Sequence, residues 1–169
     1  QRYMLQIRNT NNTVNSGYGW WLATDTNFNF ALHADGAADR FTLTRTGDAT
    51  FTGDLTVSGG DIILGAALLS NQENTDVDSA AAETVAQVAH ATYTAAFFDF
   101  VIKKGTNVRA GTVYSCHDGT NVEFTETSTV DLGDTSDVSL SVDISGTNMR
   151  LRATVTSDDW IVKSLVRAI

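Results

Sequence analysis

Cys116 stands next to His117, the one place in the sequence where a Cys, Ser or Thr adjoins a histidine. Nucleophilic catalysis needs the two within hydrogen-bond reach. Neighbours in a strand face opposite sides, so this pair points apart and is read as no catalytic dyad. Glycan cleavage needs two carboxylates held across a groove. The candidates Asp131, Asp134, Asp137, Asp158 and Asp159 fall in loop-like stretches where acidic groups are solvated, so no catalytic residue is assigned. His33, His90 and His117 form neither an H-x-H nor an H-x-x-x-H pair. A threefold assembly would triplicate each, which singles out His33 with Asp35 and His117 with Asp118. The reading adopted is a histidine satisfied by local hydrogen bonds, with no metal and no cofactor.

Binding is the chemistry that remains, and it is carried by loops on a rigid scaffold. Three joints share one tripeptide: Lys104-Gly105-Thr106-Asn107, Asp118-Gly119-Thr120-Asn121 and Ser145-Gly146-Thr147-Asn148. Glycine supplies the positive φ of a tight hairpin, and Asn and Asp bond their own backbone, so three hairpins are predicted. Their candidate contact residues are Thr106, Asn107, Asp118, Thr120, Asn121, Thr147 and Asn148. Asp158, Asp159 and Trp160 join them, an aromatic-plus-carboxylate set that suits a sugar and equally suits a strand-edge anchor.

The elements that position these loops are strands. Proline is absent, and Gly, Thr, Asn and Asp are plentiful. Tyr93 to Lys103 places Ala96, Phe98, Phe100 and Ile102 on one face; its other face is also apolar, which predicts burial on both sides. Val108 to His117, Val122 to Thr127, Val138 to Ile144, Met149 to Thr156 and Trp160 to Ile169 follow. Residues 83–169 are thus expected to form an antiparallel β-sandwich. Within residues 65–82, Asn71 to Ser79 is acidic and almost free of apolar side chains, and the segment reads as a linker. Upstream, residues 1–46 alternate in short aromatic-rich runs: Tyr3 to Arg8, then a hairpin of Tyr18 to Thr24 with Phe28 to His33 across Asp25-Thr26-Asn27, then Arg40 to Arg45. Of the adjacent Trp20 and Trp21, one points inward and one out, as a sugar platform or under a neighbouring chain.

Between them, residues 47–64 repeat a short unit: Gly47-Asp48-Ala49-Thr50-Phe51-Thr52, Gly53-Asp54-Leu55-Thr56-Val57-Ser58, Gly59-Gly60-Asp61-Ile62-Ile63-Leu64. Each unit buries two or three apolar side chains, too few to offset backbone ordering at roughly 1 to 2 kcal/mol per residue. Phe51, Leu55, Val57, Ile62 and Leu64 therefore require cover from outside. Three chains sharing one interior supply it, which predicts a homotrimer.

The run Thr44 to Gly59 resembles the "dG-x-A-x-F-x-G-x-V-x-V-x-G" stretch of fibre and baseplate proteins of tailed bacteriophages. The segment with Gly17-Tyr18, Trp20 and Phe28-Asn29-Phe30 resembles fibre knobs. Residues 83–169, with His117-Asp118-Gly119-Thr120 most distinctive, resemble a head domain of tail-fibre proteins of marine tailed phages. The resemblance implies an all-β chain built as an N-terminal β knob (1–46), an intertwined trimeric β shaft (47–64), an acidic linker (65–82) and a β-sandwich head (83–169). It implies a virion component, extracellular, that attaches to a host-surface glycan or protein and contacts other tail or baseplate proteins, with no enzymatic activity. The alternatives are a structural capsid or tail decoration protein without receptor binding, and a monomeric carbohydrate-binding module.

Bulk composition sets bounds of its own. Eleven Lys and Arg against twenty Asp and Glu give a net charge of -9, which opposes a phosphate backbone, so nucleic acid is not an expected partner. A single cysteine excludes an intrachain disulfide and CxxC motifs. No apolar run has the length of a spanning helix, so no membrane insertion is expected. The chain begins at Gln1 and is read as the C-terminal portion, or a processed product, of something longer.

Overall fold

The computed structural model describes residues 6–8, 19–24, 30–34, 39–44, 46–52, 54–58 and 60–169, with side chains from Phe41 on. The described residues are all-β and contain no helix. The strands are β1 (Gln6–Arg8), β2 (Gly19–Thr24), β3 (Phe30–Ala34), β4 (Asp39–Leu43), β5 (Ala49–Phe51), β6 (Ile62–Leu64) and β7 (Ala67–Val77). They continue with β8 (Glu83–Ala89), β9 (Ala95–Lys104), β10 (Asn107–His117), β11 (Val122–Ser128), β12 (Val138–Ser145), β13 (Asn148–Val155) and β14 (Trp160–Ala168). The chain divides into two compact units, Gln1–Thr56 and Val57–Ile169.

In the first unit β1 to β5 form an antiparallel sheet in sequence order. The expected hairpin is β2 with β3, Thr24 opposite Phe30. Its turn at Asp25-Thr26-Asn27, the side chains of Trp20, Trp21 and His33, and Asp35 lie outside the described residues. β5 continues the sheet by pairing Phe51 with Phe41 and Ala49 with Leu43. Thr44 ties the turn between β4 and β5: its N–H donates to the Asp48 carbonyl and its Oγ1 accepts from the Asp48 N–H.

The repeat at 47–64 is therefore shared out. Its first unit supplies β5 to the upstream sheet, and its last supplies β6, which pairs with β7. Residues 54–58 between them belong to no strand.

The second unit has a six-stranded sheet in the order β11-β10-β9-β14-β7-β6 and a three-stranded sheet in the order β12-β13-β8, antiparallel throughout. One apolar layer is contributed by both sheets: Ala96, Phe98, Phe100 and Ile102 of β9, Val162 and Val166 of β14, Leu140 and Val142 of β12, and Met149 and Leu151 of β13 are all buried. The period-two pattern selects these residues because alternate side chains share a face. β14, last in sequence, sits between β9 and β7.

The three predicted hairpins are present. Lys104 pairs with Asn107 and Ser145 with Asn148, leaving two-residue turns whose glycines, Gly105 and Gly146, have φ of 58° and 60°. That is the left-handed region which other residues enter at a cost. His117 pairs with Val122 around the third turn.

Two expectations on secondary structure and burial are corrected. Within 65–82, read as a linker, Ala67–Val77 is an 11-residue strand. Its polar side chains are spent on the opposite sheet: Gln72 Nε2 donates to the Gln87 carbonyl at 2.9 Å and Gln72 Oε1 accepts from the Gln87 N–H at 2.8 Å. Asn74 Nδ2 donates to Glu83. An amide side chain thus takes the place of a neighbouring strand at the free edge of β8. The second face of β9 is not buried either: Val101 is exposed, and Phe97 and Asp99 are half-buried on the outer surface of the large sheet. The opposite sheet covers one face of β9 only.

Candidate binding surfaces

The loop candidates separate into two groups. At one end of β9, Gly105-Thr106 turns into β10, and Asn107 Oδ1 accepts from the Asp134 N–H, fastening that turn to the 131–137 loop. Lys104 Nζ donates to Ser157 Oγ at 3.0 Å, which brings Asp158, Asp159 and Trp160 to the same end. At the other end of β9 lies the 118–121 turn, since the His117 N–H donates to the Thr94 carbonyl. Thr147 and Asn148 are there too, because the His90 N–H donates to the Thr147 carbonyl and the His90 ring to that of Gly146. Ten residues of strand separate the groups, about 30 Å at roughly 3.3 Å per residue. The ten sequence-derived candidates therefore make two surfaces rather than one site.

Several carboxylates and amides on these loops are already engaged, by their own turn or by a distant segment. Asp118 accepts from the Thr120 and Asn121 N–H groups and from Asn121 Nδ2, and these bonds pull its pKa down to about 2. Asp137 is lowered by Ser157 and Thr156, Asp158 by the hydroxyl and N–H of Ser79, and Asp134 by Ser136. Asn148 Nδ2 donates to Gln87 Oε1. Hydrogen bonds to the charged form hold a carboxylate ionised, and here they shape turns.

Trp160 does not present a sugar platform. It is 1 % exposed, its Nε1 donates to Ser157 Oγ at 3.1 Å, and the Lys104 ammonium lies 5.7 Å from its ring centre. The strand-edge anchor is the arrangement found.

His117 donates from Nε2 to the Tyr93 carbonyl at 2.8 Å and accepts at Nδ1 from the Gly119 N–H at 2.9 Å, so neither nitrogen is left for a metal. It sits edge-on to His90, 5.6 Å between ring centres, and Cys116 points to the opposite, solvent side. Among the described residues one carboxylate group has cation-like geometry, Asp76, Asp78 and Asp159, with oxygens within 4.8 Å of one another. Oxygen donors of this type suit a hard divalent ion. The Asp159 N–H donates to Asp78, and this set was not legible from spacing because Asp159 lies far along the chain from the other two.

The apolar candidates Phe51, Leu55, Val57, Ile62 and Leu64 are all exposed, Leu55 at 59 % and Leu64 at 62 %, as is Ile63 at 60 %.

Sequence reasoning missed a hollow on the outer face of the six-stranded sheet. It has a volume of about 410 Å³ and is lined by Ala95, Phe97, Tyr114, Ser115, Cys116, Glu123, Phe124 and Thr125. Register aligns them: Tyr114 stands between Phe97 and Thr125, and Cys116 between Ala95 and Glu123. Phe97 and Tyr114 meet edge to face at 5.9 Å, and the Arg167 guanidinium lies 5.0 Å from the Phe97 ring. Arg167 is held there by Asp99; burial raises the carboxyl of Asp99, and hydrogen bonds from Arg167 and Thr112 bring it below its usual range. The signal that could have found the hollow was the apolar second face of β9, set beside the solvent-facing Tyr114 of β10.

No known protein-family model matches the chain, and neither do the curated proteins or the solved structures.

Proposed function

We propose that this chain is the shaft and head of a homotrimeric attachment fibre, a virion tail or baseplate-associated component of a tailed phage that contacts the host surface. The observation that carries this reading is the exposed apolar series Phe51, Leu55, Val57, Ile62 and Leu64. A buried side chain of this kind contributes about 1.5 to 3 kcal/mol, and further copies of the chain would supply the cover that each of the five lacks. In this reading residues 1–46 are a knob, residues 47–64 the shaft, whose ends pair into the flanking sheets as β5 and β6, and the strands from β7 onward the head that meets the host glycan or protein. The chain acts by binding rather than by catalysis, and other tail or baseplate proteins hold it in the virion.

Sedimentation equilibrium tests the assembly. A trimer that dissociates when Leu55 is changed to Ser supports it; a monomer across the accessible concentration range removes it in favour of a free-standing binding module. A trimer that fails to bind host cells would leave a structural virion protein without receptor contact.

A further inference from the structure

We propose that the outer hollow on β9, β10 and β11 binds a neutral pyranose of a surface glycan, stacked on Tyr114. The floor is aromatic and the rim polar. Tyr114 is 45 % exposed and fixed from one side by Phe97, while the Arg167 and Asp99 pair closes the Phe97 flank towards β14. A pyranose ring presents just such a pair of surfaces, C–H groups on its face and hydroxyls at its edge, and amphipathic aromatic rings suit it.

The polar groups separate this hollow from the loops. The Tyr114 hydroxyl, Glu123 and Thr125 take part in none of the hydrogen bonds or ion pairs among the described residues, and Glu123 and Thr125 are exposed. Asp118, Asp134, Asp137 and Asp158 are each engaged by nearby hydroxyl and N–H groups. Free acceptors beside a stacking ring point to a hydroxylated ligand. The volume of about 410 Å³ falls within the roughly 300 to 1,000 Å³ of small-molecule sites.

Charge narrows the class. Glu123 is the one charged side chain in the lining, and the chain carries a net charge of -9. A uronic or sialic acid would meet repulsion on both counts, the nearby Arg167 being already paired with Asp99, whereas a neutral hexose would donate hydroxyl hydrogens to Glu123. This gives the attachment reading a ligand class, and it rests on that reading only for the source of the sugar.

Cys116, exposed, in the lining and the sole cysteine, reports occupancy. The rate of its alkylation by iodoacetamide is measured on the full chain with cellotetraose, lactose or tetragalacturonate, and sedimentation is run on the same samples. A neutral saccharide at about four times its Kd slows the reaction about fivefold, because only the unliganded fraction reacts. Tyr114→Ala or Thr125→Arg abolishes the protection, Tyr114→Phe keeps it, and tetragalacturonate gives none. Absence of protection by either neutral sugar overturns the proposal, as does protection that survives Tyr114→Ala. Equal protection by tetragalacturonate overturns it too. So does a thiol that reacts only on dilution without sugar, which would mean that a second copy covers the face. A monomer protected by lactose removes the fibre and keeps the hollow; an unprotected trimer does the reverse.

Discussion

Residues 54–58 and 138–142, Asp-Leu-Thr-Val-Ser and Val-Ser-Leu-Ser-Val, share a period-two alternation of Leu and Val with polar residues, and their surroundings differ completely. Leu55 and Val57 are exposed and belong to no strand, whereas Val138, Leu140 and Val142 are buried within β12. Local alternation names a face, and a strand forms on it only when something pairs the edge and covers the side chains. β12 has β13 alongside and the six-stranded sheet opposite. The 54–58 segment has neither, which is why the proposed assembly assigns its cover to other copies.

The comparison breaks hardest at the covered end. Phe98 of β9 is fully buried at the centre of the two-sheet core. Phe98→Ala is expected to cost about 3 to 5 kcal/mol, read from the midpoint of urea unfolding, which is enough to unfold a marginal domain. Compared at a dilution where both chains are monomeric, the Leu55→Ser change used to test the trimer should leave that midpoint within about 0.5 kcal/mol; a larger loss there would mean that residues 54–58 are already packed within one chain.

The Gln72 bridge sharpens the comparison, since it shows an edge closed by side chains alone. Gln72→Ala removes both bonds to the Gln87 backbone. The expected loss is about 1 kcal/mol, with faster hydrogen exchange at the Gln87 amide as the specific signature.

Acid acts on the same unit through its turns. Asp118 has a folded pKa lowered to about 2, and Asp143 is lowered through its hydrogen bonds to Arg150 and Arg152. A depressed folded pKa gives stability that is complete above the unfolded value and is lost as pH falls through the folded one. The two-sheet unit should therefore weaken between about pH 4 and pH 2, with Asp118→Asn flattening part of the decline in a pH series of thermal melts.

The strands from 83 onward and the three hairpins were legible because alternation and Gly-Thr-Asn turns agree there. β7 was hidden: Asn71-Gln72-Glu73-Asn74-Thr75-Asp76 reads as solvated chain until the opposite sheet supplies partners for the amides. Trp160 was ambiguous for a related reason, since an aromatic beside two aspartates looks the same whether it faces a sugar or Lys104 and Ser157. The loop residues were identified individually, but their division between two ends follows from strand pairing over long sequence separations, which composition does not encode. The hollow went unread because an apolar second face on β9 suggested a second covering layer.

The position of β14 between β9 and β7 orders events during synthesis. Trp160 closes against Val77, and Val166 lies between Phe98 and Ser70, so the two halves of the large sheet have no strand in common until residues 160–168 leave the ribosome. Until then β6 and β7 reach the rest of the unit through the opposite sheet, by bonds such as those between Gln72 and the Gln87 backbone. A frameshift or stop within those nine residues would strand both halves rather than trim an edge.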